Sequence, residues 1–356
     1  MTSRQEALSG TRPVRAAHRI DEGRLAAYLE QHLDGFEGPM SVSQFKGGQS
    51  NPTYLVDAAS GRYVLRRKPP GKLLKSAHAV DREYRIIRAL HASGFPVPRP
   101  YLLCEDESVA GTMFFVMAFV EGRIFWELGL PGQSAAERAA IYDDVNATIA
   151  RLHSFDYHAA GLDDYGRPGN YFARQVSRWS QQYRASETRT IEAMDRLIEW
   201  LPLHIPADES SSIVHDDYRL DNLIIHPTEP RVVAVLDWEL STIGHPLADF
   251  TYHLMAWQMG NVGFGSVGLR DRDLQSLGIP DEADYVRRYC ARVGRGAGLP
   301  DREFCAAYNF FRLAAILQGI AGRVRDGTAA SAHARQAADA VAPLAELGWR
   351  HAARVS

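Results

Sequence analysis

Cysteine is scarce in this 356-residue chain, and long apolar runs are missing. Cys104, Cys290 and Cys305 are widely spaced and form no Cys-x-x-Cys motif, which argues against a disulfide scaffold and favours a reducing compartment. No run approaches the ~18 apolar residues of a membrane span, and the first twenty residues lack the apolar stretch of a secretory signal. The sequence therefore predicts a cytoplasmic protein with no membrane partner, and a disordered tail over residues 1–20.

An excess of charge of either sign is also missing. The formal net charge is −3, and 46% of the residues are hydrophobic and 23% charged, as is typical of a soluble globular protein. This balance argues against a general nucleic-acid partner. The chain contains no internal repeat or low-complexity tract, and it is long enough for two lobes with separate cores. The sequence does not distinguish a monomer from a homodimer.

Hydrophobic periodicity and turn residues predict a β-rich first part and a mostly helical remainder. The first part combines a helix at 21–33, three antiparallel strands beginning at Ser41, a helix at about 76–93, and strands at 101–104 and 112–119. The predicted helices of the remainder span about 134–154, 171–187, 189–200, 247–258, 282–293, 301–325 and 329–346.

The most informative stretch runs from Ile213 to Asp249. Two runs rich in β-branched residues, 223–225 and 232–236, predict buried strands separated by a proline-containing turn. Polar groups stand at their edges, as Asp217 and Asn222 come before the first strand and Asp237 follows the second. This arrangement suits phosphoryl transfer, in which one carboxylate orients the attacking hydroxyl while an amide and a second carboxylate hold magnesium on the nucleotide phosphates.

The motif His215-x-Asp217, with Asn222 five residues after Asp217 and Asp237 on the next strand, resembles the catalytic and metal loops of aminoglycoside-phosphotransferase-like kinases. These enzymes, which include choline-kinase types, are small-molecule relatives of protein kinases. The strings His-Asp-Asp-Tyr-Arg-Leu-Asp-Asn and Leu-Asp-Trp-Glu look closest to kinase-like domains fused to acyl-CoA dehydrogenases. One departure is Asp216, which stands where the family usually has glycine.

The resemblance implies an α+β, two-lobed protein-kinase-like fold. A small antiparallel β-sheet lobe with one main helix would occupy residues 21–120, and a larger, mostly helical lobe residues 121–356. The hinge would lie near 119–123, with ATP and Mg²⁺ in the cleft between the lobes and the acceptor on the helical lobe.

The resemblance also assigns the nucleotide contacts. A glycine turn would cover the phosphates, since glycine permits close backbone approach, and backbone groups of the hinge would read the adenine. The residues concerned are Gly47, Gly48, Ser50 and Asn51 in the turn, and Met117 and Phe119 at the hinge. A Gly/Asn-rich turn and a buried strand would look the same without these roles.

A cation on the third strand is expected to contact the α- and β-phosphates, held by a carboxylate on the following helix. Arg66 aligns with the usual lysine of this motif, and Glu83 is the matching carboxylate. Because Arg67 and Lys68 are adjacent, a one-residue register error would point a different cation inward.

The chemistry is expected to centre on Asp217, which would orient the acceptor hydroxyl and take its proton. Asn222 and Asp237 would bind magnesium through oxygen atoms. His215 and Asp249 are interpreted as structural supports of the loop. Glu239 could reach metal or substrate.

The acceptor is a hydroxyl-bearing small molecule of unknown identity. From Asn261 onward the chain has 10 acidic residues, 13 arginines and no lysine, so it offers no obvious acidic pocket for a polycationic aminoglycoside. Arg312, Arg323 and Arg325 could instead meet an anionic acceptor such as a hydroxyacyl-CoA or a hydroxy acid. Aromatic residues could line an acceptor pocket or form helical core: Trp179, Tyr183, Trp257, Phe310 and Phe311.

The sequence is compatible with two other functions. A catalytically silent nucleotide-binding module is compatible with Arg66 in place of lysine and with Asp216. A metallohydrolase could use metal ligands on both sides of the predicted strands, namely His215, Asp217, Asp237 and His245. The sequence does not distinguish ATP from GTP.

Overall fold

The computed structural model of the chain describes residues 4–47, 51–70, 79–260, 268–296, 298–326 and 332–355. The described strands are Thr11–Arg12 (β1), Met40–Phe45 (β2), Thr53–Ala58 (β3), Gly61–Arg67 (β4), Pro100–Cys104 (β5), Phe114–Ala118 (β6), Ser212–Val214 (β7), Leu223–Ile225 (β8), Val232–Val235 (β9) and Thr242–Gly244 (β10). The described helices are Arg4–Leu8 (α1), Glu22–His32 (α2), Val80–Ala92 (α3), Glu107–Ala110 (α4), Ala135–His153 (α5), Tyr171–Ser186 (α6), Glu192–Trp200 (α7), Pro246–Gln258 (α8), Leu274–Leu277 (α9), Glu282–Arg292 (α10), Arg302–Arg325 (α11) and Ala332–Ala352 (α12).

The chain forms two compact units, Met1–Trp126 with Leu220–Ser241, and Glu127–Arg219 with Thr242–Ser356. The two-lobed α+β fold expected from the motifs is confirmed. The division differs from the predicted single boundary near residue 120, because the β8–β9 hairpin belongs to the first unit. Backbone hydrogen bonds explain this: Arg123 pairs with Ile225 in both directions, at 2.7 and 2.9 Å, and the Val235 N–H donates to the Pro96 carbonyl at 2.8 Å.

The first unit is built on a six-stranded antiparallel sheet with the strand order β1-β2-β3-β4-β6-β5. Gly61 makes the tight β3–β4 turn at φ 140°, a backbone conformation that favours glycine. Leu25 and Leu29 of α2 pack on one sheet face against Tyr54, Val56 and neighbouring apolar side chains. The predicted helix with Ile86, Ile87 and Leu90 as its inner stripe is α3; the predicted start at Ser76 lies outside the described residues.

Residues 4–20, predicted as a disordered tail, instead contribute strand β1 to the sheet and form hydrogen bonds with residues of β3 and β4. Thr11 pairs with Phe45 and Arg12 with Gln44, so that β1 covers the edge of β2. The His18 carbonyl accepts hydrogen bonds from Tyr54 at 2.8 Å and from Arg67 at 2.9 Å. The polar composition concealed this because a two-residue strand is too short to show alternation.

The second unit is mostly helical and is organised around α11, which packs against α6, α8 and α12. Among the described residues, only α11 is long and apolar enough to cross a membrane by length and composition, and 78% of that apolar window is buried within the protein. Asn309, Arg312 and Gln318 interrupt the apolar run and are themselves buried. Helix α11 is thus a core helix of this unit.

A short antiparallel pair, β7 with β10, also belongs to the second unit. The sequence did not predict it, because Ser212, Thr242 and Gly244 leave at most two adjacent apolar residues in each strand. Strand β7 leads directly into His215–Asp217, and β10 leads through His245 into α8. In this antiparallel register Val214 lies opposite Thr242 and Gly244 opposite Ser212. Helix α8 carries Asp249.

Candidate functional site

In the first unit, the guanidinium of Arg66 is surrounded by three carboxylates. Its Nε–H donates to Glu83 at 2.8 Å, its Nη2 donates to Asp237, and Glu239 lies 3.7 Å from the same Nη2. Arg66 is 6% exposed and Glu83 1%. The predicted pairing of Arg66 with Glu83 is present, and the structure adds Asp237 and Glu239 to it.

The register of β4 identifies which of the adjacent cations joins this cluster. Side chains alternate across a strand, so Arg66 and Arg67 point to opposite faces of the sheet. Arg67 donates to the carbonyls of Ala110 and His18 on the α2 side. Arg66 is therefore the cation on the face that carries α3 and Asp237.

The electrostatics of this cluster favour an additional positive charge. Burial opposes ionisation of Arg66, yet its carboxylate partners outweigh burial and raise its pKa, so the guanidinium stays charged. Burial raises the pKa of Glu83 to about 7, and Asp237 and Glu239 add to this rise while Arg66 opposes it. Three carboxylates around one cation leave an excess of negative charge.

The β8–β9 hairpin brings Asn222 and Asp237 to the same end of a ladder. Leu223 pairs with Val235, and the Leu236 N–H donates to the Asn222 carbonyl at 2.8 Å. Asp237 follows at φ 64°, a left-handed conformation that turns the chain out of the strand. The two residues predicted as metal ligands thus flank one hydrogen-bonded step of the hairpin.

The side-chain oxygens at this end of the hairpin fit a magnesium ion that is held largely by a nucleotide. Asn222, Asp237 and the nearby Glu239 offer only oxygen atoms, which hard cations prefer. Among the described residues, no group of three or more His, Cys, Asp or Glu side chains is arranged to hold a metal ion by itself. Magnesium normally uses one or two protein oxygens plus phosphates and water rather than an all-protein cage.

The metallohydrolase alternative likewise has no such ligand group in the described part of the chain. Its two histidines serve local roles instead. His215 Nδ1 accepts the Asp217 N–H at 3.3 Å, and His245 Nδ1 accepts the Leu247 N–H at 3.2 Å as the N-cap of α8. Both rings organise backbone turns.

The predicted phosphate-covering turn is described only at its ends, because Gly48 and Ser50 lie outside the described residues. A Cβ at Gly47 would lie 3.1 Å from the ring of Trp126, so packing alone favours glycine there. Asn51 is 1% exposed and donates from Nδ2 to Glu239 at 3.0 Å. The turn is thereby tied to the carboxylate cluster through its last residue.

The predicted hinge residues lie at the end of β6. Met117 pairs with Val64 of β4, and the Phe119 N–H donates to the Arg62 carbonyl at 3.4 Å. The Arg62 guanidinium carbon lies 4.3 Å from the centroid of the Phe119 ring. These contacts anchor the segment to the sheet, and its adenine-reading role stays a prediction.

In the second unit, Asp249 supports the loop that follows β7. Its carboxylate accepts the His215 N–H at 2.7 Å and the Asp216 N–H at 2.8 Å, and it lies 3.2 Å from His153 Nε2. Burial alone would raise the pKa of Asp249, but the contacts with His153 and His215 lower it, so the carboxylate stays charged. Asp249 lies where the sequence predicted a structural support.

Asp217 follows this support and keeps 23% of its side chain exposed. Its Oδ1 accepts a hydrogen bond from the Tyr252 hydroxyl at 2.8 Å, and Arg219 Nε lies 3.1 Å from the same oxygen. No sequence motif indicates Tyr252, which lies on α8 outside the recognised pattern. The predicted base is therefore an oriented carboxylate that solvent can reach.

Asp216, the departure from the family pattern, has a buried partner. Arg312 donates from Nη1 to Asp216 Oδ1 and from Nη2 to its carbonyl, both at 3.0 Å, and Tyr171 donates to Oδ1 at 3.1 Å. Arg312 is 4% exposed. The prediction that Arg312 meets an anionic acceptor is therefore wrong, because Asp216 already neutralises it. Arg325 pairs with Asp326 at 2.8 Å.

The five aromatic residues considered for an acceptor pocket are core residues. Each is at most 8% exposed: Trp179, Tyr183, Trp257, Phe310 and Phe311. Trp257 donates its indole N–H to the Pro280 carbonyl at 2.9 Å. Helical packing accounts for their presence.

Residues 41–308 match the family model described as the phosphotransferase enzyme family. A solved protein from Ralstonia eutropha JMP134, provisionally described as an aminoglycoside phosphotransferase, is 52% identical, with 94% of this chain and 99% of that chain covered and a TM-score of 0.86. A thermostable mutant of the aminoglycoside phosphotransferase APH(4)-Ia, in complex with ADP and hygromycin B, is 16% identical with a TM-score of 0.59, covering 91% of this chain and 97% of that chain. This last likeness is one of fold alone.

The chain is also 46% identical over 345 residues to acyl-CoA dehydrogenase family member 10 of Mus musculus, covering 97% of this chain and 32% of that protein. The chain spans between 32% and 45% of the length of this and the next three curated relatives it matches. The resemblance to small-molecule kinases, inferred from the motifs, is confirmed by these matches.

Proposed function

Because the chain belongs to the phosphotransferase enzyme family, we propose that it transfers the γ-phosphate of ATP to a hydroxyl group of a small molecule, with magnesium as cofactor. The observation that carries this proposal is the Arg66 cluster. The first unit contains the buried guanidinium of Arg66 and the carboxylates of Glu83 and Glu239. It also contains the oxygen ligands at the end of the β8–β9 hairpin, including Asp237. Phosphoryl transfer requires this combination of fixed cation and oxygen ligands.

The first unit binds the nucleotide in this proposal. Arg66 contacts the α- and β-phosphates, and Glu83 holds the guanidinium in place. Asn222 and Asp237 hold magnesium, which neutralises charge on the phosphates when bound. The structure of APH(4)-Ia with ADP, which has the same fold, supports an adenine nucleotide.

Asp217 orients the acceptor in this proposal. As a carboxylate it accepts a hydrogen bond from the attacking hydroxyl and takes the proton as the phosphoryl group transfers. Tyr252 and Arg219, both at Oδ1, restrict rotation of the carboxylate. Catalysis then consists mainly of positioning and charge neutralisation.

The acceptor in this proposal is a hydroxyacyl-CoA or a hydroxy acid rather than an aminoglycoside. The relatives at 40–46% identity carry names of acyl-CoA dehydrogenases, which favours an acceptor that carries an acyl chain. Three buried free cysteines fit the reducing conditions of the cytoplasm, which we propose as the compartment.

An acceptor panel tests the function. The protein is incubated with MgATP and one of four acceptor classes, hydroxyacyl-CoAs, hydroxy acids, sugars or aminoglycosides, while ADP formation and the mass of the acceptor are followed. We expect ADP and a phosphorylated product with one of the first two classes. Binding of MgATP without transfer to any acceptor would favour the catalytically silent nucleotide-binding module.

A pair of loop variants tests the role of the base. We expect Asp217→Ala to lose transfer and keep MgATP binding, because the carboxylate contacts the acceptor and not the nucleotide. Asp221→Ala removes a carboxylate from the same loop and should keep both. Parallel loss of binding and transfer in Asp217→Ala would contradict the assigned role.

A further inference from the structure

The N–H, the carbonyl and the Oδ1 of Asp216 are all hydrogen-bonded within the second unit. Its N–H donates to Asp249 at 2.8 Å, and its carbonyl and Oδ1 each accept from Arg312 at 3.0 Å. Tyr171 adds a second donor to Oδ1 at 3.1 Å. The residue directly before Asp217 is therefore fixed from both its main chain and its side chain.

The backbone at this position explains why such support is needed. Asp216 has φ 67°, in the left-handed region that glycine adopts freely and that side chains adopt at a cost. The family's usual glycine would reach this conformation without help. The aspartate keeps it here together with a charged partner on α11.

Arg312 also contacts the second support of Asp217. Its guanidinium carbon lies 5.4 Å from the centroid of the Tyr252 ring, within the range of a cation–π contact. Tyr252 in turn donates to Asp217 Oδ1 at 2.8 Å. One buried side chain thus touches both groups that set the position of Asp217, namely the preceding residue and the tyrosine.

We propose that Arg312 is a positioning residue for Asp217, acting through Asp216 on the main chain and through Tyr252 on the carboxylate. This rests on the proposed function, in which Asp217 orients the acceptor. Without Arg312, the buried Asp216 carboxylate would lose its cation beside another carboxylate, and the loop would have to rearrange. Glycine at 216 removes both the stranded charge and the backbone cost, so it should compensate for the loss of Arg312.

The experiment compares wild type with Arg312→Met, Asp216→Gly and the double variant. Local exchange of the amide hydrogens over residues 213–218 is measured by mass spectrometry, together with kcat, the KM for each substrate and the melting temperature. A buried tyrosine bonded elsewhere serves as the control, because Tyr142 donates to the Leu128 carbonyl at 2.7 Å and Tyr142→Phe should leave kcat and exchange at 213–218 unchanged.

We expect Arg312→Met to accelerate exchange at 213–218 and to lower kcat by on the order of 100-fold, with the KM for MgATP within about 3-fold of wild type. The double variant should regain protection and most of the kcat of Asp216→Gly. Tyr252→Phe should lower kcat by about 10-fold with the same KM pattern. If Arg312→Met does not fold, the double variant and Tyr252→Phe carry the test.

Two results overturn the positioning role. One is unchanged exchange and kcat in Arg312→Met, and the other is a double variant as impaired as Arg312→Met. Failure of the proposed function would give a different result. Wild type would transfer no phosphate to any acceptor, but amide exchange at 213–218 would still accelerate in Arg312→Met and recover in the double variant. The exchange measurement thus separates the two.

Discussion

The Nε–H of Arg66 donates to the Glu83 carboxylate at 2.8 Å, with both side chains almost fully buried. This pair joins β4 to α3 and points the guanidinium toward Asp237. A buried cation of this kind depends on its partners, because removing one member leaves the other charge stranded.

Replacing Arg66 by methionine should therefore destabilise the protein by about 3–5 kcal/mol. Urea unfolding of wild type and Arg66→Met measures this difference. The matched control is Arg66→Met combined with Glu83→Gln, which removes one stranded charge and should recover part of the loss. An equal loss in the single and double variants would show that the pair is not the source.

Gly122 should tolerate no side chain. A Cβ at this position would overlap Ile224 and the Ile225 carbonyl, where the chain passes close to β8. We expect Gly122→Ala to cost about 1–3 kcal/mol of unfolding free energy. Gly296→Ala is the control, since nothing lies within 4 Å of a Cβ there, and it should be neutral in the same thermal unfolding measurement.

The stability of the protein should fall in mild acid because of His253. Burial lowers the pKa of His253 to about 4, while its nitrogens bond to the Tyr218 carbonyl at 3.1 Å and the Tyr285 hydroxyl at 2.9 Å. The unfolded chain binds a proton near the ordinary pKa of about 6.5. Stabilisation is therefore present above about pH 6.5 and is lost as the pH falls toward 4.

Unfolding free energies at pH 7.5 and 4.5 check this dependence. Wild type should lose about 2–3 kcal/mol from this group over that interval, and His253→Phe, although less stable overall, should lose correspondingly less. An equal loss in both proteins would assign the acid sensitivity to other groups, among which His245 is the first to examine because burial lowers its pKa to about 4 as well.

Much of the fold and of the first-unit cluster followed from the sequence. The alternation in β4, the inner stripe of α3 and the spacing of Asp217, Asn222 and Asp237 are local patterns. A single sequence shows such local patterns, because side-chain direction repeats every two residues in a strand and every 3.6 residues in a helix. The choice between Arg66 and Arg67 needed the structure, since a one-residue shift exchanges the two faces.

The contacts that the sequence did not reveal join residues far apart in the chain. Arg312 and Asp216 are 96 residues apart, and Asn51 and Glu239 are 188 apart. A single sequence contains no periodicity that connects such positions. Composition alone suggests that the arginines of α11 bind an anion, because composition does not show that a charge already has a buried partner.

Calorimetric titration with ATP, with and without magnesium, on wild type and Asp237→Ala tests whether the protein binds the nucleotide of a kinase. We expect magnesium-dependent binding in wild type and an affinity at least about 10-fold weaker in Asp237→Ala, because that carboxylate holds the ion on the phosphates. Unchanged affinity in the variant would remove Asp237 from the metal site, and an absence of ATP binding by wild type under both conditions would contradict the assignment as a kinase.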